Sequence, residues 1–132
     1  MRLWHKDLIP VLPDKQLQGQ WRECCLIAKA LHDGNLNHLL VNKVKEYPID
    51  DFINYANLVS LEMKNRGKNP VFKNFSKYFD WEYVEYNVDV FQGWHNDRYL
   101  KQCFYNLQEK YDCGGISHEE WRKVELACID FC

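Results

Sequence analysis

The stretch DKQLQGQWRECCLIAKAL, residues 14–31, decides the class of fold. Leu17, Trp21, Cys24, Cys25, Ala28 and Leu31 recur at offsets of three, four and seven, which stacks them on one face of an α-helix. Asp14 is a good N-cap and Gly34 stands just past the end, so both limits are punctuated. The apolar stripe centres on Trp21, Cys24 and Ala28. At about 100° per residue, Arg22 and Glu23 then fall on opposite flanks. Lys15, Arg22 and Lys29 form a basic line along one flank; Gln16, Gln20 and Glu23 line the other. Taken by themselves, both flanks read as a solvated polar face.

Working outward, the same period recurs and no segment alternates like a strand for long. A short helix covers Asn37 to Glu46. Another starts around Pro48, where a proline suits the first turn, and runs through Phe52, Ala56, Val59 and Met63 until Gly67 and Pro70 close it. A third long helix starts near Asn96 or Asp97 and presents Leu100, Cys103, Leu107 and Tyr111 before Gly114 and Gly115. The last opens with Ser117 and Glu120 at capping-box spacing and offers Trp121, Val124, Cys128 and Phe131 to a core. Residues 68–96 read as irregular, yet Phe72, Phe75, Tyr78, Phe79, Trp81, Tyr83 and Tyr86 are too dense for a disordered linker. They are expected to form short turns over the core. The expectation is a compact, mostly α single domain spanning 1–132.

Composition narrows the classes further. With 132 residues, 46% hydrophobic, 15% aromatic and a net charge of −2, the chain is no disordered segment. No run approaches the roughly 18 apolar residues of a membrane span, and MRLWHK lacks the apolar stretch of a signal peptide. A cytoplasmic protein with no membrane association is expected. The six cysteines, at 24, 25, 103, 113, 128 and 132, include no Cys-x-x-Cys pair and read as reduced, small hydrophobes. The five histidines are scattered, and His118-Glu119-Glu120-Trp121 is not the zinc-protease His-Glu-x-x-His. No metal and no cofactor are expected.

Two further features could carry chemistry. Lys64, Arg66, Lys68, Lys73 and Lys77 form a run with no acidic residue between Glu62 and Asp80, beside aromatics that could stack on bases. A pI of about 6.2 argues against strong non-specific binding of nucleic acid by the whole chain. Trp94-His95-Asn96-Asp97-Arg98-Tyr99 sits at a helix entrance, where His95 precedes free backbone N–H groups.

The opening Met1-Arg2-Leu3-Trp4-His5, then Leu8-Ile9-Pro10, Leu12-Pro13, Gln16-Leu17, Gly19-Gln20 and Arg22-Glu23-Cys24-Cys25 resemble bacterial proteins related to the pyrimidine-dimer DNA glycosylases, the phage endonuclease V-like family. Trp94 to Leu100, Tyr105 to Asp112, and Gly114-Gly115 resemble the same bacterial group. The resemblance implies an all-α fold whose N-terminal segment threads between helices. It also implies a DNA-repair glycosylase with abasic-site lyase activity on damaged double-stranded DNA. In that chemistry an N-terminal α-amine attacks C1′ and forms an imine, and a glutamate following an arginine assists sugar opening and elimination. Arg22-Glu23 matches that pair, so Glu23 is expected to be catalytic. Arg2 in second position predicts that Met1 is retained and that its amine is the nucleophile.

An α-amine is partly uncharged near neutral pH, and a nearby carboxylate can stabilise charge developing at C1′ and move a proton. Arg2, Arg22, Lys64, Arg66, Lys68, Lys73 and Lys77 are expected to contact the DNA backbone, with Gln16 and His95 near the site. Two other classes stay open: a non-catalytic helical module binding nucleic acid or protein, and a small-molecule or metal enzyme using His5, His38 or His95 with a cysteine.

Overall fold

The computed structural model describes residues 2–35, 37–78 and 87–131, with only the backbone of Phe131. The first long helix, α1 (Asp14–Asp33), buries Leu17, Gln20, Trp21, Cys24, Ile27 and Ala28, and Gly34 ends it in the left-handed conformation with φ 72°. It packs against α2 (Leu39–Lys45), α3 (Ile49–Asn65) and the four-residue α4 (Lys73–Ser76). Helices α5 (Asp97–Asp112) and α6 (His118–Ala127) pair with each other through Phe104, Tyr111 and Trp121. Among the described residues there is no strand, so the chain is all-α.

Residues 2–5 run extended into the middle of these helices, with Leu3 0% exposed and His5 2%. Burying Leu3, Trp4, Leu8 and Ile9 removes about 1.5–3 kcal/mol worth of apolar surface from water for each side chain. A 3-10 helix, Lys6–Val11, turns the chain out again and packs on α3 and α6. The N-terminal segment thus threads between helices, and the core forms around it.

Most expected helices are present within a residue or two at each end. The differences have local causes. Lys73–Ser76 closes a helical turn inside the stretch read as irregular, because Phe75 is drawn into contact with Trp21 and Phe52. Of the aromatics there, Phe79, Trp81, Tyr83 and Tyr86 lie outside the described residues. Pro13, not Asp14, is the N-cap of α1. The Asp14 N–H donates instead to Glu120 Oε2 at 2.9 Å, so α6 caps α1 across the fold, while Ser117 caps α6 through the Glu120 N–H at 3.1 Å.

Arg66 is the second tie. Its guanidinium donates to the carbonyls of Leu12 (2.6 Å) and Pro10 (3.1 Å) and to Asp14 Oδ1 (2.9 Å), and its Nε lies 3.5 Å from Glu62. Arg66, expected from the sequence as a DNA contact, clamps the end of α3 to the start of α1. Arg66→Met should lower the unfolding free energy by about 2 kcal/mol in urea titrations, since two backbone carbonyls lose a charged donor. Arg66→Lys should recover little of that, because a point charge cannot span three acceptors. A melt of Arg66→Met indistinguishable from wild type would contradict the clamp.

Candidate active site

No strand stands beside residues 2–6 among the described residues, so side chains satisfy most of their backbone groups, while the His5 carbonyl takes the Leu8 N–H at 2.9 Å. Gln20, 1% exposed on α1, accepts from the Trp4 N–H at 2.7 Å and donates to the Arg2 carbonyl at 2.9 Å. Tyr55 on α3 donates to the Trp4 carbonyl at 2.6 Å, and its hydroxyl also lies 3.0 Å from Gln20 Oε1. Tyr99 on α5 donates to the Leu3 carbonyl at 2.5 Å. His95 Nδ1 accepts from the Lys6 N–H at 3.0 Å, and His5 Nδ1 from the Asp7 N–H at 3.0 Å. At the outer end, the Arg2 N–H donates to Glu23 Oε2 at 3.1 Å, an oxygen that also takes Gln20 Nε2 at 3.2 Å. Met1 itself lies outside the described residues.

The flank of α1 bearing Gln16, Gln20 and Glu23 is therefore not a solvated face: the N-terminal segment lies along it. Glu23 is half-buried there, and Gln16 Oε1 is a buried atom without a hydrogen-bond partner. Gln20, Tyr55 and Tyr99 were not singled out by the sequence for any role. Gln20 has one legible signal, its place between Gly19 and the Arg22-Glu23 pair. Nothing local marks the two tyrosines, whose partners lie 51 and 96 residues away.

Burial sets the protonation of the surrounding groups. It holds the Tyr55 and Tyr99 hydroxyls well above the usual phenol range, so both remain neutral donors. It likewise pushes up the thiols of Cys24 and Cys103, the latter despite the Arg2 guanidinium 3.9 Å from its sulfur. Neither is a thiolate near neutral pH, which removes the nucleophile that a cysteine enzyme would need here. His95, stacked on His5 with ring centroids 5.1 Å apart, is pushed down to about 3 by burial and then by the neighbouring His5 and Lys6. Burial also lowers His5, against the pull of Asp7 and Asp97. His95 thus sits behind the N-terminal segment as a neutral acceptor for backbone, and its Nε2 is buried and unpartnered.

The basic residues divide. Arg22 and Lys77 line one cavity of about 400 Å³ with Lys29, floored by Trp21, Val71 and Tyr78. Lys68 lines a second, with Arg66, Lys123, Asp14 and Glu120. Lys64 lies exposed with its ammonium 4.3 Å from the Phe72 ring centre, and Lys73 is exposed on α4. Arg2 is half-buried with its guanidinium over the Trp4 ring. Among the described residues, no three His, Cys, Asp or Glu side chains are grouped to hold a metal ion, and no helix is long and apolar enough to cross a membrane.

A family model described as pyrimidine dimer DNA glycosylase matches residues 1–75, the part of the chain that carries the N-terminal segment, α1 and α3. The chain belongs to that family. Curated proteins and solved structures give no match. Membership of the pyrimidine dimer DNA glycosylase family places the chain in glycosylase-type DNA repair, with DNA as the substrate class. The matched residues include Arg22-Glu23 and every α1 and α3 group that holds residues 2–4.

Two neutral imidazoles under the N-terminal segment give a signed pH dependence. The unfolded chain takes up protons at histidine near pH 6.5, whereas folded His95 does so only near 3. The unfolded state then binds more protons throughout that interval, so stability falls as pH falls through it. Urea titrations should lose about 2 kcal/mol between pH 6.5 and pH 5, above the range of ordinary carboxylates. Constant stability across that interval would mean that the pair is not held neutral.

Proposed function

We propose that the chain is a DNA-repair glycosylase with abasic-site lyase activity, acting through the Met1 α-amine and Glu23. The observation that carries this reading is the 3.1 Å hydrogen bond from the Arg2 N–H to Glu23 Oε2. The amine proposed to react is three covalent bonds before that nitrogen, which bounds its separation from Oε2 at roughly 7 Å. Glu23 Oε1 accepts no hydrogen bond from a described residue and is the oxygen available to a substrate. A carboxylate held beside the reacting centre can meet developing charge and move protons there without a search for geometry.

The reaction runs in balanced steps. The uncharged amine attacks C1′ as the glycosidic C–N bond breaks and its electron pair leaves with the base. Opening of the sugar at O4′, which takes a proton, gives the imine. Loss of a C2′ proton and departure of the 3′ phosphate complete the elimination, and water hydrolyses the imine to return the amine. Glu23 supplies and collects these protons and faces the positive charge that develops at C1′. Reaching C1′ requires distortion of the duplex, which damage makes cheaper.

Arg22, Lys29 and Lys77, around one cavity, are proposed to hold the strand phosphates, with Arg2, Lys64, Lys68 and Lys73 as outer contacts and Gln16 a neighbour of the site. Arg66 is left out of that set because its donors are engaged, and His95 because it supports backbone. The single domain over 1–132 and a cytoplasmic location remain part of the same proposal.

Borohydride trapping on duplex DNA carrying an abasic site or a pyrimidine dimer tests this, using untagged protein whose first residue is verified by mass. A covalent adduct should form with wild type, vanish on acylation of the α-amine, and fall roughly 100-fold or more in Glu23→Gln. In a separate binding titration, the pair Arg22→Gln and Lys77→Gln should weaken affinity on all sequences and reduce the salt slope by about two. Binding without any adduct would favour the non-catalytic module on the same fold, to which the basic cavity belongs equally.

A further inference from the structure

Gln20 is a buried side chain on α1 whose every polar capacity is used, and the uses are of two kinds. Its Oε1 receives the Trp4 N–H and shares the single Tyr55 hydroxyl proton, which also reaches the Trp4 carbonyl. Its Nε2 donates to the Arg2 carbonyl and to Glu23 Oε2. The partners fix the orientation of the amide, since reversal would set its NH2 against the Trp4 N–H and its oxygen against a carbonyl and a carboxylate. One planar group therefore grips the chain on both sides of Leu3 and, through the same nitrogen, holds an oxygen of Glu23.

We infer that Gln20 is a positioning residue for the proposed reaction, locking the N-terminal segment and the Glu23 carboxylate into one rigid unit. The inference rests on the function proposed above. Without the amide, Glu23 would keep only the Arg2 N–H as a partner for Oε2, and the carboxylate would be free to rotate. With it, Oε2 is occupied twice, which fixes the plane of the carboxylate and leaves Oε1 as its oxygen without a bond from a described residue. A carboxylate at position 20 would fail for a definite reason: it offers an acceptor where two acceptors already stand, one of them the Glu23 oxygen 3.2 Å away. Alanine scanning would not separate this role from core packing, because the side chain is also part of the buried interior.

The experiment compares wild type, Gln20→Met and Gln20→Glu in single-turnover borohydride trapping on abasic-site DNA between pH 5 and pH 9. Hydrogen exchange at the Trp4 amide and DNA affinity are measured in the same samples. Gln20→Met keeps the volume and removes the hydrogen bonds. Its trapping rate should fall roughly 10-fold to 100-fold, as expected for a small misplacement, with DNA affinity unchanged and exchange at Trp4 faster while the α3 and α5 amides stay protected. Gln20→Glu adds a second readout. Two carboxyls in contact titrate as a pair, so its rate relative to wild type should rise as pH falls and the introduced carboxyl gains a proton to donate. A purely structural glutamine would show the loss and its recovery in unfolding free energy and in exchange across α3 and α5, with the trapping rate of the folded fraction unchanged. If wild type traps and both variants trap at its rate with an unshifted pH profile, the positioning role is overturned and the lyase reading stands. If wild type forms no adduct, the lyase reading falls and this inference falls with it, whatever the exchange shows.

Discussion

An extended segment of backbone buried among helices has no neighbouring strand to bond, and each unpaired N–H or carbonyl would cost on the order of 1–3 kcal/mol. Residues 2–5 of this chain are in that position, and side chains from the surrounding helices meet most of their demand. Gln20, Tyr55, Tyr99 and His95 come from three helices and the turn before one of them, and each supplies one or two of the missing partners. Removing the segment would leave a polar channel where the core should be.

The same arrangement places charge economically. Inside the molecule the ionisable groups are kept neutral by burial: two tyrosines, two thiols and two imidazoles surround the segment. The carboxylate of Glu23 stands at the outer end, half-exposed, beside the first described backbone nitrogen. A basic, aromatic-floored cavity opens on the other flank of α1. The two flanks of one helix thus carry a carboxylate held by backbone and a cavity lined by Arg22, Lys29 and Lys77.

Much of this was legible in residues 14–31, where the stripe through Leu17, Trp21, Cys24 and Ala28 is the buried face observed. The flank carrying Gln20 was misread as solvated, because a helical wheel shows which residues share a side and not what lies against it. Gln20 and Glu23 look like surface residues until Arg2 and Trp4 are laid across them. The clamp at Arg66 is illegible for a similar reason: in sequence it belongs to a lysine-rich run, while its partners include the carbonyls of Pro10 and Leu12, more than 50 residues earlier. The turn before α5 hid a further feature, since Phe91 adopts φ 56°, a strained value for a bulky residue. Its carbonyl there receives the N–H groups of Trp94 and His95 and so aims the imidazole at Lys6.

The threading also sets an order in time. The bonds from Lys6 to His95 and from Tyr99 to Leu3 close loops of 89 and 96 residues. Contacts of such separation are entropically expensive and form late, after local helices have condensed. During synthesis the first residues emerge long before the helix that must hold them, so until α5 arrives Leu3 lacks one of its fixed partners. The backbone of residues 2–5 would stay open to water throughout that interval, and the interior would be completed only by the closing step of folding itself.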